Sequence, residues 1–290
     1  MTTAKDLLNL LVLEQLEDHV FNGVSKTVGS PVVFGGQVLA QAINAASRTI
    51  PANRILHSLH GYFLEAGDLD LPITYIVSVI RDGGSFSVRR VTAVQNDVTI
   101  FILAASFHKF ETGYDHQIKM KSDIKPPESL LSWTDMLKQW GDFLPSNIKT
   151  FFEVERPIEF KPTVVNNPFD RKDLPPYSDV WFKLKGDVGA LDLNTKQQIL
   201  TYISDYNLLS SALNPHASMA HFGNTQSASL DHSMWFFRDF DFSDWLLFSM
   251  ESPNAISARG FARGNIFTRN GVLIASVAQE GLLRPLIKHA

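Results

Sequence analysis

The chain of 290 residues contains no cysteine. It therefore has no disulfide bond, no thiolate nucleophile and no thiolate ligand for a metal. Long apolar runs are missing too, since none approaches the roughly 20 residues that a helix needs to cross a bilayer. The formal net charge of −4 gives no general attraction to nucleic acid or to anionic membranes. We expect a protein with no membrane span and no nucleic acid partner.

The sequence signatures of several enzyme classes are also missing. There is no G-x-S-x-G nucleophile elbow, no H-E-x-x-H metal motif and neither of the glycine-rich loops that bind phosphates. We therefore expect no metal and no cofactor. An enzyme without a nucleophile of its own would have to orient water, which an acid, a hydroxyl and an amide can do by hydrogen bonding.

The composition, with 44% apolar and 19% charged residues, is typical of a soluble globular protein. The N-terminal stretch is acidic and amphipathic, and it lacks the basic region and cleavage site of a secretory signal. The last residues, KHA, do not match the peroxisomal S-K-L signal. We expect a cytoplasmic location.

One pattern occurs twice along the chain. A His-Ser pair followed by an aromatic-rich run and an acidic turn appears in both halves, and so do the strand-like stretches that follow it. Three pairs of matching positions lie 174 or 175 residues apart: His57 and His232, Arg89 and Arg263, and Asn96 and Asn270. This near-constant spacing indicates an internal repeat.

The hydrophobic pattern predicts a helix followed by strands in each half. The first helix, at 35–51, is rich in alanine and nearly uncharged, as a helix wrapped by a sheet should be. Strands are predicted at 57–64, 72–81, 85–95 and 98–108, and again at 227–237, 244–251, 257–268 and 272–284, with turns at 82–84, 96–97, 252–254 and 270–271. The predicted fold class is α+β, with two tandem helix-wrapped antiparallel sheets.

The repeat divides the chain into two domains, 1–111 and 156–290. Between them, residues 112–155 form a charged linker excursion that contains two adjacent prolines and a short predicted helix around SWTDMLKQW. Long strands at 72–110 and 257–284 are candidate sheet edges, and exposed edges favour pairing with another chain. We therefore expect a homodimer or a tetramer.

The second helix carries an unexpected acid in the stretch TYISDYNLLSSAL, residues 201–213. At 100° per residue, Asp205 falls beside the apolar stripe and not on the polar face. Further along, Ser229 lies on a predicted strand, and Gln279 interrupts an aliphatic strand. Asp205 could act as a general base on a water that the other two side chains help to orient. Sequence spacing alone does not bring the three together.

Motifs in both halves closely resemble the type II acyl-CoA thioesterases of the TesB type. They are VFGGQVLAQAI, HSLHGYFLEAGD and DGGSFSVRRV in the first half, and LDHSMWFFR, SARGFARG and VLIASVAQEG in the second. The resemblance runs from about Leu7 to Arg284. It implies the double hotdog fold and hydrolysis of an acyl-CoA substrate to a free fatty acid and coenzyme A, without a metal or a covalent intermediate.

The resemblance also implies catalytic residues. The aspartate of the family falls on Asp205, its glutamine on Gln279 and its threonine on Ser229, where this sequence departs from the family pattern. Serine keeps the hydroxyl but lacks the methyl group that restricts rotation about χ1. The second half is therefore expected to carry the catalytic residues.

Further candidates concern the substrate. The helix start at Gly35, Gly36 and Gln37 could supply backbone N–H donors to an oxyanion, since a helix N-terminus favours negative charge. His57 is a candidate substrate-binding residue, although both repeat histidines also fit purely structural positions. The phosphates of coenzyme A need cations, and the candidates are Arg89, Arg90, Arg259 and Arg263, each of which could instead be a structural ion-pair partner.

Two alternatives remain open. An enoyl-CoA hydratase or dehydratase of hotdog type commonly pairs a catalytic Asp with a His on one segment, whereas the first histidine after Asp205 is His216, beyond a proline. A non-catalytic acyl-CoA-binding protein is the other alternative. In the first half, Gln37 and Ala105 stand roughly where Asp205 and Gln279 do, which predicts one active half.

Overall fold

The computed structural model describes residues 1–144, 146–167 and 170–286, with side chains described except at 146–148 and 151. The helices are α1 Ala4–Leu11, α2 Gly35–Ser47, α3 Trp133–Trp140, α4 Ser146–Glu153, α5 Leu193–Ser204 and α6 Ser210–Leu213. The strands are β1 Glu14–Glu17, β2 Val20–Gly23, β3 Ile55–Phe63, β4 Ile73–Asp82, β5 Phe86–Gln95, β6 Val98–His108, β7 Ile158–Pro162, β8 Tyr177–Leu184, β9 Thr225–Ser229, β10 Asp231–Phe236, β11 Leu246–Ile256, β12 Arg259–Thr268 and β13 Leu273–Pro285.

In the described part of the chain, all thirteen strands belong to one antiparallel sheet. The first half has the strand order β1-β2-β4-β5-β6-β3, and the second half has the mirrored order β10-β13-β12-β11-β8-β7, with β9 added beside β13. β3 and β10 pair at the centre, where Leu59 lies opposite Met234. The two halves thus have equivalent topologies, as the repeat predicts, but they form one continuous sheet.

The two long helices α2 and α5 lie against each other and against the sheet. Ten residues of α2 are buried, including all four of its alanines and its apolar Val38, Leu39 and Ile43, so the helix is enclosed on nearly every side. Asn44 Nδ2 donates to Gln198 Oε1 at 3.1 Å across the helix pair. An uncharged, alanine-rich helix is suited to this position because it buries no unpaired charge.

The hairpin turns follow the sequence with one exception. Asn96 and Asp97 have φ of 46° and 62°, and Gly271 has φ of 82°, as expected for turns at 96–97 and 270–271. The predicted turn at 252–254 is wrong: β11 continues through it with an irregular register, and the hairpin falls at Ser257 and Ala258 instead. Both turn residues have positive φ, which neither serine nor alanine favours, so no local signal marked the turn.

The helix predicted across 201–213 is interrupted. α5 ends at Ser204, Asp205 is its C-terminal cap, and a short α6 follows. Asn207, with φ of 68°, adopts the left-handed conformation that breaks the helix between them. The break turns Asp205 away from a regular helix surface and toward the start of α2.

The predicted sheet edges are also wrong. β4, β5, β6, β12 and β13 all have a neighbour on both sides, because the two halves join through β3 and β10. The ends of the strand order are β1 and β7. The argument from these edges no longer supports a homodimer or tetramer, and the oligomeric state stays a prediction, as does the cytoplasmic location.

The segment between the halves packs onto the second one. Its predicted short helix is α3, which begins with a capping box from Ser132 and Asp135. The ring of Trp133 lies 4.6 Å from that of Phe160 on β7. Among the described residues, no helix combines the length and the apolar character that crossing a bilayer demands.

Candidate active site

Asp205, Ser229 and Gln279 lie together, although they come from three distant parts of the chain. Ser229 Oγ donates to Asp205 Oδ1 at 3.2 Å, and Gln279 Nε2 donates to the same oxygen at 3.1 Å. Gln279 Nε2 also donates to Ser229 Oγ at 2.5 Å. The register of β9 on β13 brings Ser229 opposite Gly281, two residues from Gln279. The C-terminal end of α5 places Asp205 beside these two side chains.

The second carboxylate oxygen of Asp205 is held by the other half of the molecule. Gly36, at the start of α2, donates its N–H to Asp205 Oδ2 at 2.8 Å. The N-terminus of a helix carries a partial positive charge, which stabilises a carboxylate. A Cβ on Gly35 would lie 2.8 Å from Asp205 Oδ2, and one on Gly36 would lie 2.4 Å from the carbonyl oxygen of Tyr202. Only glycine allows this approach.

This geometry corrects the prediction that Gly36 and Gln37 present free donors to an oxyanion, whereas the same role for Gly35 stays a prediction. The Gly36 N–H is taken by Asp205, and the Gln37 N–H donates to the Phe34 carbonyl at 3.0 Å. The Gln37 side chain is fully buried and accepts from the Lys26 N–H at 3.0 Å. The start of α2 therefore positions the acid.

The environment of Asp205 shifts its ionisation toward neutral pH. Burial raises its pKa from the ordinary 3.8 to about 6, although hydrogen bonds from Gln279, Ser229 and Gly36 each lower it. Burial disfavours the charged form, whereas the three donors stabilise it. At pH 7 a carboxyl of this pKa is roughly nine-tenths ionised, and it is a much stronger base than an ordinary aspartate.

His232 lies directly behind Gln279. The side chain is fully buried on β10, with Nδ1 3.0 Å from Gln279 Oε1 and Nε2 2.9 Å from Ser204 Oγ. An amide oxygen only accepts, so Nδ1 carries the proton and Nε2 is the acceptor nitrogen of the neutral ring. The single hydroxyl proton of Ser204 is shared between this nitrogen and the Thr201 carbonyl, which lies 2.8 Å from the same oxygen. Burial lowers the pKa of His232 to about 4, so the ring is neutral at pH 7. The repeat marked His232 as a matching position, but no pattern in the sequence pointed to its contact with Gln279.

The three side chains border a cavity of about 650 Å³. Much of its wall is apolar and comes from the segment between the halves and the loop before α2. Arg171 and His221 line it as well, from two loops of the second half. The apolar side chains of the wall include Phe34, Trp133, Met136, Leu137, Trp140 and Phe152.

His57 lies away from this site. Its Nε2 is 2.8 Å from Ser106 Oγ, and its ring packs against those of Phe86 and His108. It is not among the residues that line the cavity. Burial and the neighbouring His108 lower the pKa of His57. This placement does not support the predicted role of His57 in binding a substrate at the Asp205 cavity.

Arg89 is held inside the fold. The residue is 1% exposed, and its guanidinium donates to the Thr49 carbonyl at 2.8 Å and to Asp82 Oδ2 at 3.0 Å. Further bonds go to Thr49 Oγ1 and the carbonyls of Arg81 and Val88. With its donors turned inward, Arg89 is not placed to bind a phosphate, which corrects its assignment to coenzyme A.

The other three candidate arginines lie on strand surfaces and do not line the cavity. Arg259 pairs with Glu280 at 3.0 Å, and Arg263 pairs with Glu251 at 2.6 Å. Arg90 is exposed on β5. The structure therefore does not bring these cations to Asp205, and the ion-pair alternative describes Arg259 and Arg263.

The first half has a cation where the second has Asp205. Asp205 caps the C-terminus of α5, and the residue that caps α2 is Arg48, so Arg48 and not Gln37 is its counterpart. Arg48 donates to the Leu13 carbonyl at 2.8 Å and lies 4.5 Å from the ring of Phe21. A guanidinium cannot act as a general base, which leaves one candidate site.

The strand registers also correct the first-half position that was matched to Gln279. The sheet pairs Arg89 with Ala105 and Arg263 with Ala278. If the two arginines are equivalent, the match for Gln279 is Ser106 and not Ala105. The hydrogen bond between His57 and Ser106 then corresponds to the one between His232 and Gln279. The first half keeps this pair without an acid beside it.

Two tandem halves, each with a long helix packed on its part of one continuous antiparallel sheet, and an acid of raised pKa beside an apolar cavity define a double hotdog protein of the thioesterase type. A protein with a hot dog fold from Alicyclobacillus acidocaldarius superposes with a TM-score of 0.75 at 15% identity, over 99% of this chain and 100% of that one, which supports the fold alone. The acyl-CoA thioesterase II TesB2 of Mycobacterium marinum superposes with a TM-score of 0.76 at 35% identity, over 95% of this chain and 97% of that one.

Sequence comparison identifies the family. The family model described as acyl-CoA thioesterase matches residues 147–282, and the one described as acyl-CoA thioesterase N-terminal domain matches residues 24–108. Acyl-CoA thioesterase 2 of Haemophilus influenzae is 42% identical over 279 residues, 96% of this chain and 97% of that protein. The chain belongs to the acyl-CoA thioesterase family, and the resemblance and the fold class predicted from its motifs are confirmed.

Proposed function

We propose that the protein hydrolyses fatty acyl-CoA thioesters to a free fatty acid and coenzyme A, with Asp205, Ser229 and Gln279 as catalytic residues. The observation that carries this proposal is a carboxylate with a pKa of about 6, held by three donors on the wall of a largely apolar cavity. A general base works best when its pKa lies near the working pH. An apolar cavity accommodates an acyl chain.

In the proposed mechanism, a water bound by Asp205, Ser229 and Gln279 attacks the thioester carbonyl carbon. Asp205 accepts one proton of this water as the carbon–oxygen bond forms. The tetrahedral intermediate then breaks its carbon–sulfur bond, and the protonated Asp205 returns the proton to the departing thiolate. The products are the carboxylic acid and free coenzyme A, and no acyl-enzyme forms.

Serine at 229 is compatible with this mechanism. It lacks the methyl group of threonine, which would restrict χ1. Its hydroxyl, however, donates to Asp205 and accepts from Gln279, and these two bonds fix its direction instead. We propose that residue 229 orients the water through its hydroxyl alone.

A thiol-release assay on purified protein tests the function. With a fatty acyl-CoA, we expect one equivalent of free thiol and one of fatty acid. The hydratase alternative predicts conversion of an enoyl-CoA to its hydroxyacyl form with no thiol released, and the binding-protein alternative predicts binding of acyl-CoA without turnover. Either of these outcomes would replace the proposal.

The position of His232 leads to a prediction about Gln279. Replacing His232 by Leu removes the donor to Gln279 Oε1 and frees the amide to rotate, so kcat should fall about tenfold, the scale expected when a buried acceptor loses its partner. His232→Asn can keep an N–H near the position of Nδ1 and should retain most of the activity. Steady-state kinetics on both variants measures the difference.

The exposed His60, which contacts Ser233 on the sheet, offers a control. His60→Leu should leave kcat unchanged. An equal loss of kcat in His232→Asn and His232→Leu would show that the ring serves only to fill space, and the positioning role would then be wrong.

A further inference from the structure

Arg171 differs from the other arginines near the site because its charge is not paired. Its side chain lines the same cavity as Asp205 and is partly buried. Within the residues that the structure describes, its guanidinium makes no hydrogen bond and no ion pair. Partial burial of an unpaired cation costs free energy, and burial indeed lowers the pKa of Arg171. Such a guanidinium is suited to bind an anionic group of a ligand that enters the cavity.

His221 adds a second donor to this part of the wall. It lines the cavity, and its Nδ1 accepts the N–H of Gly223 at 3.0 Å. That bond leaves the proton of the neutral ring on Nε2, which is free to donate. Burial and the charge of Arg171 lower the pKa of His221, so the ring stays neutral at pH 7 and the two groups lie close enough to interact.

The other arginines predicted to bind phosphate have different surroundings. Arg89 is turned inward, Arg259 and Arg263 are paired with glutamates, and Arg90 is exposed on β5 and does not line the cavity. Among the described residues that line this cavity, Asp205 is the one carboxylate and Arg171 is the one arginine. Because the chain carries a net charge of −4, a phosphate-bearing ligand needs a local cation to offset repulsion.

We propose that Arg171, with His221 beside it, binds a phosphate group of coenzyme A. This inference rests on the proposed function, since it assigns the recognition of the carrier part of the substrate. The guanidinium offers a fork of N–H donors that matches phosphate oxygens in pairs. The neutral His221 ring contributes one further hydrogen bond. The acyl part occupies the apolar wall supplied by α3 and its neighbours.

Two thioesters of the same fatty acid test the proposal. Acyl-CoA carries three phosphate groups, whereas acyl-pantetheine carries none and presents the same reacting bond. In Arg171→Gln, KM for acyl-CoA should rise about tenfold, the low end for loss of a charged hydrogen bond, with kcat unchanged. KM for acyl-pantetheine should stay at the wild-type value. Raising the salt concentration should raise KM for acyl-CoA more in the wild type than in the variant.

Arg263→Gln is the matched control, because Arg263 is exposed, paired with Glu251 and outside the cavity. It should change neither KM. A selective rise of KM for acyl-CoA in Arg263→Gln and not in Arg171→Gln would place the phosphate site on the strand surface and overturn the proposal. An equal rise of KM for both thioesters in Arg171→Gln would mean that Arg171 shapes the cavity but does not bind a phosphate group.

Calorimetric titration with coenzyme A separates this proposal from the proposed function. If the wild type releases no thiol from either thioester, the proposed hydrolase function is wrong. The affinity for coenzyme A still tests whether Arg171 binds a phosphate group. We expect Arg171→Gln to weaken binding of coenzyme A about tenfold and to leave binding of pantetheine unchanged. Equal affinities of the wild type and the variant for coenzyme A would contradict the assignment.

Discussion

Asp205→Asn should lower kcat for acyl-CoA hydrolysis by at least about a hundredfold, the low end for loss of a general base. Asparagine has nearly the same shape, but its side chain cannot accept a proton at neutral pH. Asparagine keeps one acceptor oxygen, so with Oδ1 toward the Gly36 N–H its Nδ2 can donate to Ser229 Oγ, and the side chain can stay in place although it no longer accepts from Gln279. KM should change little, because the cavity wall is kept. Thiol release under saturating substrate measures the effect.

Asp192→Asn serves as the control on the same helix. Asp192 caps the N-terminus of α5, where its side chain accepts from the Thr195 N–H, and asparagine caps helices equally well. This variant should keep wild-type kcat. If Asp205→Asn turns over acyl-CoA at a rate near that of the wild type, Asp205 is not the base and the mechanism is wrong.

Gly35→Ala is expected to have the second largest effect. The added Cβ would lie 2.8 Å from Asp205 Oδ2 and 2.9 Å from Phe63 Cζ, so the carboxylate has to move away from the start of α2. A displacement of about 1 Å in a catalytic group can cost about a hundredfold in rate. Alanine itself favours a helix, so α2 should keep its stability. We expect a large loss of kcat with a melting temperature close to that of the wild type.

Two other glycines, Gly36 and Gly84, separate the effect on catalysis from the effect on folding. A Cβ on Gly36 would lie 2.4 Å from the backbone carbonyl oxygen of Tyr202, which cannot move without shifting α5, so Gly36→Ala should lower the melting temperature as well as kcat. Gly84 has open space around it, so Gly84→Ala should change neither. Wild-type kcat in Gly35→Ala would mean that the contact between α2 and Asp205 is irrelevant to turnover.

The raised pKa of Asp205 follows from the balance of two effects at one point of the fold. The carboxylate sits at the C-terminal end of α5, which disfavours negative charge, and at the N-terminal end of α2, which favours it. Burial outweighs the three hydrogen bonds, so the pKa rises to about 6. The site therefore needs both halves of the molecule, even though the first half supplies no acid or amide of its own.

Much of the fold could be predicted from local pattern. The alternation of apolar and polar residues located β3 to β6, β12 and β13 to within two residues, because strand periodicity and Asn-Gly or Asn-Asp turns are local signals, whereas β11 runs five residues past its predicted end. The pairing of β3 with β10 could not be predicted in this way. It joins residues 169 to 177 positions apart, and only the packing of the whole chain decides it.

The site was predicted in part, and the difference has a physical reason. The motif resemblance pointed to Asp205, Ser229 and Gln279, and the structure brings these three side chains together. The contact of Asp205 with Gly36 spans 169 positions and depends on how α5 ends, which periodicity misread as a continuing helix. Arg171 belongs to no motif. Its proposed role rests on its place on the cavity wall and on having no partner among the described residues, and neither feature can be seen in a sequence.

The cavity wall illustrates the same limit. Residues 133–140 were predicted as a helix within a linker, and α3 is that helix. No pattern in its sequence predicted that Trp133, Met136 and Trp140 would line a cavity next to Asp205. An amphipathic pattern predicts that one face of a helix is buried, but it does not identify what that face packs against.

The pH dependence of kcat/KM for acyl-CoA hydrolysis tests the central claim most directly, since it reports the ionisation of the base in the free enzyme. The carboxylate form of Asp205 is active, so the rate should rise with pH, reach half its maximum near the pKa of about 6 and level off above roughly pH 7. A profile that is flat between pH 5 and 8, or one that falls as the pH rises through 6, would contradict the account.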